Sequence, residues 1–162
     1  MSGIRECLQK NIKPGLKIAV LGIGSTLRSD DAAGMYCIAL LNKLVKNENV
    51  LLMAGSTAPE NFTGVIKKFA PDKLFIVDAA YIGLLPGETK VVSASDISGV
   101  SFSTHMLPLP VMLKYLAAEV HCDVIFVGIQ PLCTEQGFQM NEAVKTGTEH
   151  LAKEFYNAFL SV

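Results

Sequence analysis

Two adjacent carboxylates, a single aspartate after an apolar run and a histidine in a polar loop are the side chains of this chain best suited to chemistry. Asp30 and Asp31 lie in the stretch Leu21 to Gly34, LGIGSTLRSDDAAG. Apolar Ile18 to Ile23 reads as a buried strand, Gly22 and Gly24 allow a tight turn, and Ala32 to Leu44 resumes an apolar pattern at helical spacing. A glycine-rich turn between strand and helix ordinarily suggests a phosphate cradle, because backbone N–H groups and the helix dipole attract an anion. Here two carboxylates already stand at the helix start and would repel one. The dinucleotide pattern also breaks, since Leu27 occupies the place of its third glycine. The second strand, Val50 to Ala54, ends in Gly55-Ser56-Thr57 without the acidic residue that would hold a ribose. The turn is suited to a cation.

Asp78 follows Leu74-Phe75-Ile76-Val77, and a carboxylate at the end of so apolar a strand requires a partner or a cation to offset its desolvation. His105 lies in the Ser103-Thr104-His105-Met106 loop before a fourth helix. In an open α/β sheet the ends of the buried strands meet at one edge, where ligands bind, so Asp31, Asp78 and His105 are expected to converge. Two carboxylates and an imidazole offer hard oxygens and a borderline nitrogen. That set suits a divalent transition ion such as nickel or zinc, with coordination positions left for water or substrate. Plainer roles stay open for the same residues: Asp30 or Asp31 as helix caps, Asp78 as an aspartate satisfied by backbone N–H groups, His105 as an ordinary loop histidine. His121 and His150 read as surface residues of a helix end and a helix face.

The elements that must position these groups alternate between strand and helix, the pattern of a three-layer α/β domain. After the first strand and helix come strand Val50 to Ala54 and a helix near Pro59 to Phe69, opened by an expected capping box of Thr57 and Glu60. A third buried strand, Lys73 to Val77, ends at Asp78. The loop Ala79 to Glu88 is barely long enough for a parallel crossover and shows no helical pattern. A short fourth strand, Thr89 to Ser93, is therefore expected to run antiparallel to the others. A helix over Leu109 to Ala118, a fifth strand over Asp123 to Gly128 and a last helix over about Asn141 to Phe159 complete the chain. In that last helix Val144, Leu151, Phe155 and Phe159 form an apolar stripe that reads as core. The expectation is one domain over residues 1–162, a five-stranded, mostly parallel sheet between helical layers with its fourth strand antiparallel.

Composition narrows the setting. Half the 162 residues are hydrophobic, enough for a substantial core. Fourteen basic against fifteen acidic residues leave a net charge of -1 without a basic cluster, which argues against a nucleic-acid partner. Apolar runs fall far short of the ~20 residues needed to span a bilayer, and MSGIRECLQKN lacks the apolar core of a signal peptide, so a cytoplasmic protein without a membrane partner is expected. Cys7, Cys37, Cys122 and Cys133 are scattered and read as reduced thiols.

Several motifs in one order resemble the nickel-iron hydrogenase maturation endopeptidases, most closely the branch that processes large subunits of formate-hydrogenlyase-type (hydrogenase 3) enzymes. They are Gly24-Ser25-Thr26-Leu27-Arg28-Ser29-Asp30-Asp31, Gly55-Ser56-Thr57-Ala58-Pro59-Glu60-Asn61, Ile76-Val77-Asp78-Ala79, Thr104-His105-Met106-Leu107-Pro108 and Gly128-Ile129-Gln130-Pro131. The resemblance extends from about Lys17 to Ala158. It implies that Asp31, Asp78 and His105 contact nickel, that the nickel arrives on the large-subunit precursor rather than as a resident cofactor, and that a C-terminal extension is removed once nickel is loaded. No organic cofactor is implied. Asp31 is the first choice for the base that would take a proton from the attacking water. Ser25 stands where the family usually has Asn, and Ala32 where it usually has Gly, which bears on hydrogen bonding around the turn and on how closely a substrate backbone can approach. A self-contained zinc hydrolase and a non-enzymatic nickel- or nucleotide-binding module are the alternatives. The first would be expected to carry a dedicated base such as the Glu of an HExxH helix, which this sequence lacks.

Overall fold

A computed structural model of the chain describes residues 2–92, 101–102, 114–116, 118–137 and 139–162. Its strands are β1 (Ile18–Ile23), β2 (Val50–Ser56), β3 (Lys73–Tyr81), β4 (Thr89–Val92), β5 (Ser101–Phe102) and β6 (Asp123–Ile129), and its helices α1 (Ser2–Asn11), α2 (Ala33–Leu44), α3 (Thr63–Phe69) and α4 (Glu142–Phe159). The sheet runs in the order β2-β1-β3-β6-β4. The first four of these strands are mutually parallel, and β4 is antiparallel to β6, from Thr89 opposite Ile129 to Val92 opposite Phe126. The antiparallel fourth strand expected from loop length is thus present. The two-residue β5, which the sequence reading does not contain, pairs antiparallel with the end of β3.

Alternation along the central strands feeds two cores, because successive side chains of a strand leave opposite faces. Ile18, Val20, Phe75 and Val77 face one way and meet buried residues of α1, α2 and α4; Ala19, Leu21, Leu74 and Ile76 face the other and meet Ile66 of α3 and Leu116. The stripe expected on α4 is buried along its length, and Phe155 sets its ring edge-on against Phe75 at 5.3 Å between centroids. The side chain of Asn141 accepts a hydrogen bond from the Ala143 N–H at 2.9 Å and so caps α4 where the pattern placed its start. All four cysteines are free thiols, and burial pushes that of Cys37 up to about 12. Among the described residues no helix is long and apolar enough to cross a membrane.

Two readings need correction. Asp78 does not end its strand: β3 continues to Tyr81, because the small apolar Ala79 and Ala80 stay buried and the ladder with β6 extends through Asp78 opposite Gly128 and Ala79 opposite Ile129. The ladder with β1 stops one residue earlier, at Gly22 opposite Val77, so Asp78 still emerges at the sheet edge. The capping box does not form. The 3-10 turn Pro59–Phe62 that leads into α3 has Ala58 at its N-cap without a side-chain cap bond, so Thr57 falls one residue too early, and the Glu60 carbonyl accepts from Thr63 Oγ1 instead. Helix Leu109 to Ala118 is seen at 114–116 and 118–119; its first half and Ser93 lie outside the described residues.

Helix α1 was not legible as an element. Ile4, Leu8 and Ile12 recur every fourth residue and are all buried in the core with α4. Arg5 Nε and Nη2 reach the two carboxylate oxygens of Glu154 on α4 at 2.9 and 2.8 Å, and this pairing holds the Glu154 carboxyl below its ordinary value. A helix this short is marginal alone, so packing rather than propensity must hold it. Truncating Leu8, 1% exposed, to Ala should therefore cost about 2–5 kcal/mol, read as a lowered denaturant midpoint. An unchanged midpoint would show that α1 contributes no core.

Candidate functional site: two buried carboxylates at the sheet edge

The turn after β1 is laid down by two close approaches. Gly24 adopts φ +127, and a Cβ there would stand 1.8 Å from the Asp31 carbonyl oxygen; a Cβ on Gly34 would stand 2.3 Å from the carbonyl oxygens of both Ile23 and Val77. The start of α2 is thereby pressed onto the ends of β1 and β3. Between them the 3-10 turn Ser29–Ala32 delivers Asp30 and Asp31, both fully buried.

Asp31 faces the sheet edge. Its Oδ2 accepts a hydrogen bond from the Ser25 N–H at 2.8 Å. Asp78 is also buried, and its Oδ1 has no hydrogen-bond partner among the described residues. Burial is the larger cause that raises the Asp78 carboxyl well above the ordinary carboxylate range, and the charge of Asp31 adds to it, while the Ala79 backbone N–H pulls the other way. An orphaned oxygen in that setting is satisfied by a proton or by a cation. The structure brings Asp31 near enough to Asp78 for its charge to act on it. His105 lies outside the described residues, and among the residues that are described no group of three His, Cys, Asp or Glu side chains is placed to hold a metal ion.

Asp30 is not a helix cap. Neither Asp30 nor Asp31 caps α2, whose N-cap is Ala32 without a side-chain cap bond. Asp30 turns away instead and collects backbone N–H groups from the far end of the chain: Leu132 and Cys133 donate to Oδ2 at 2.8 and 2.9 Å, and Asn141 to Oδ1 at 2.6 Å. Local sequence carries no signal for such bonds, which span 102 to 111 positions. Gln130, in the Gly128-Ile129-Gln130-Pro131 motif, has a structural role that the motif alone does not announce. Its buried amide accepts from Ile82 and Leu84 N–H at Oε1 and donates from Nε2 to the Pro131 carbonyl, tying the loop after β3 to the end of β6. A buried amide directly after the apolar run of β6 was the available signal. His121 is exposed, and His150 lies on α4 with Nε2 3.8 Å from Glu154 Oε1.

The two departures in the turn fit without strain. Ala32 holds ordinary helical angles, φ -71 and ψ -4, which need no glycine. Ser25 serves Asp31 through its backbone N–H, a bond any residue but proline supplies, while its Oγ accepts from Leu27 N–H at 3.3 Å.

A mixed α/β sheet with chemistry-bearing carboxylates at the carboxyl edge of its parallel strands defines a class of small α/β enzymes, and comparison with known proteins gives the family. The model of the HycI hydrogenase maturation proteases matches residues 35–158, a span that contains Asp78 and His105 and begins just after Asp31. The chain is 32% identical over 131 residues to the hydrogenase 3 maturation protease of Escherichia coli K12, covering 80% of this chain and 83% of that protein. Its fold superposes with a TM-score of 0.86 on the crystal structure of the NiFe hydrogenase maturation protease HycI from Thermococcus kodakarensis, at 30% identity over 95% of this chain and 99% of that one. The solution structure of the endopeptidase HycI from Escherichia coli gives 0.73 at 28% identity, covering 88% and 90%. This chain belongs to the HycI family of hydrogenase maturation proteases and is a peptidase.

The raised Asp78 carboxyl carries a pH consequence. Between the ordinary value of 3.8 and its raised folded value, the folded protein binds more protons than the unfolded chain, so stability falls as pH rises through that window and stays lower above it. Asp78→Asn removes this contribution. The variant should be more stable than the wild type at neutral pH, with the advantage shrinking to nothing as pH falls below 3.8. Denaturant midpoints measured across that range check it, and a pH-independent difference would contradict it.

Proposed function

We propose that this peptidase removes a C-terminal extension from the large-subunit precursor of a nickel-iron hydrogenase after nickel is loaded, and that it recognises nickel already held by the substrate's cysteines. The observation that carries the reading is the orphaned Oδ1 of Asp78 beside the Asp31 carboxyl, a buried pair that a cation would satisfy. Asp31, Asp78 and His105 are the proposed contacts to the substrate's ion. Supporting it further, the relatives are named as proteases of hydrogenase maturation, one of them for hydrogenase 3. The cytoplasm is the proposed compartment, and four unpaired cysteines suit its reducing conditions.

The proposed chemistry follows from that arrangement. An ion beside the scissile carbonyl stabilises developing oxyanion charge and acidifies a water, and a carboxylate next to it accepts the water's proton. Asp31 is the proposed base, since its bond to the Ser25 N–H orients one oxygen and leaves the side chain ordered at the edge. Cleavage is then gated by metal insertion, because an unloaded precursor brings no cation to the pair.

Incubation with nickel-loaded and nickel-free precursor tests the proposal directly: only the loaded form should shorten. Asp31→Ala, Asp78→Ala and His105→Ala should each abolish shortening and keep the fold, because removing one of three contacts weakens ion recognition strongly. His121→Ala and His150→Ala should process normally. Chelator treatment of the protease alone, followed by chelator removal and addition of loaded precursor in metal-free buffer, should leave activity intact. Activity that returns only when zinc is restored to the protease would overturn the borrowed-metal reading.

A further inference from the structure

The turn that carries Asp31 makes its strongest attachments through the residue beside it. Along that turn Arg28 Nε donates to the Thr134 carbonyl at 3.1 Å, Ser29 Oγ to the Gln139 carbonyl at 3.0 Å, and the Asp30 N–H to the Cys133 carbonyl at 3.1 Å. The Asp30 side chain then accepts from the N–H groups of Leu132, Cys133 and Asn141. Every one of these bonds ends in the loop between β6 and α4. A carboxylate that accepts several backbone N–H bonds forms the strong, charge-assisted kind. Asp31 Oδ2 instead accepts from the Ser25 N–H, and the charge of Asp31 acts on Asp78.

The backbone of the turn is held in a costly shape. Ser29 adopts φ +42, a left-handed conformation that a non-glycine residue keeps only where its surroundings over-determine it. The over-determination here is the set of bonds to the β6–α4 loop, of which Asp30 supplies the largest share. Release of Asp30 would let Ser29 relax toward ordinary angles, and Asp31, two residues on, would rotate with it.

We infer that Asp30 is a positioning residue: by clamping the strained Ser29 turn to the β6–α4 loop, its carboxylate holds Asp31 at the side of Asp78 in the orientation that peptide cleavage requires. It rests on the proposed function only for the reaction that Asp31 serves.

Asp30→Asn keeps size and replaces one acceptor oxygen by a donor, so at least one backbone N–H then confronts an N–H. Two readouts are taken on folded protein. In hydrogen exchange, the amides of Leu132, Cys133 and Asn141 should lose protection, and so should Ser25, whose N–H bonds Asp31 and not Asp30. With nickel-loaded large-subunit precursor, kcat should fall by about tenfold to a hundredfold, the scale of a catalytic group displaced by an ångström, with KM unchanged. Loosened loop amides with Ser25 still protected, or a wild-type kcat, would reduce Asp30 to a loop anchor and overturn the inference.

A second pair of variants decides the matter if Asp30→Asn does not fold. Asn141 has φ -61, which proline adopts without strain, so Asn141→Pro deletes the N–H that Asp30 Oδ1 accepts together with the cap side chain, whereas Asn141→Ala deletes the cap alone. Faster Ser25 exchange and lower kcat in Asn141→Pro than in Asn141→Ala support the positioning role; equality of the two overturns it. Failure of wild-type protein to cut loaded precursor would count against the proposed function, while the Ser25 exchange comparison would still report whether Asp30 positions Asp31.

Discussion

Two aspartates buried side by side at the end of an apolar sheet repel each other and forfeit hydration, and the local architecture is organised around keeping them there. Asp78 has no freedom to withdraw, because its backbone is held in β3 by the ladder to β6, one residue past the end of the ladder to β1. Asp31 is brought to it by a helix start pressed so tightly onto two strands that only Gly34 fits at the contact. Desolvation of one carboxyl and the field of the other raise Asp78 in the same direction. An arrangement of this kind lowers fold stability at neutral pH, and a sheet core of continuous apolar strands with α2 and α4 packed across it offsets that cost.

Much of this was legible because the relevant signals are local. β1, β3 and β6 are continuous apolar runs, which only strands buried on both faces need. The direction of β4 followed from the length of the loop before it, and Asp78 stood out as a carboxylate directly after an apolar run. The features that stayed hidden depend on distant partners. α1 is stable only through its contact with α4, so its short sequence reads as ambiguous until Glu154 and the core are in place. β3 reaches Tyr81 because β6 and β5 continue to pair with it, not because Ala79 and Ala80 favour strands. The capping box failed by one residue, since Pro59 and the turn before it shifted the N-cap to Ala58.

The acidic pair is the sharpest case. Asp30 and Asp31 are identical in type and adjacent in sequence, and both are fully buried. In the 3-10 turn that carries them, consecutive side chains leave in different directions. One enters a nest of three backbone N–H groups and is satisfied as a structural anion; the other is delivered to the sheet edge beside a second acid. Sequence reading could select the pair but not divide the labour, because the N–H donors that separate the two roles come from the end of the chain. Burial alone therefore does not identify a functional carboxylate. The distinguishing property is whether its charge is already compensated by the fold.

That distinction bears on how a protease of this design would treat a metal ion. A cation entering beside Asp78 must compete with the proton that the raised carboxyl favours, so ion binding and proton release are coupled. Two carboxylates and one imidazole, the proposed set, are also weaker for nickel than the thiolates that would hold the ion in a hydrogenase subunit. Both effects push the resident affinity of the protease down and leave the ion with the substrate. The donor set nonetheless supplies oxygens that a partly coordinated ion can accept, and relief of the Asp78 desolvation adds to the affinity of the loaded substrate alone. On the proposed reading, low intrinsic affinity is thus the property that lets the site report on nickel insertion, since a tighter site would remove the ion whose presence it has to sense.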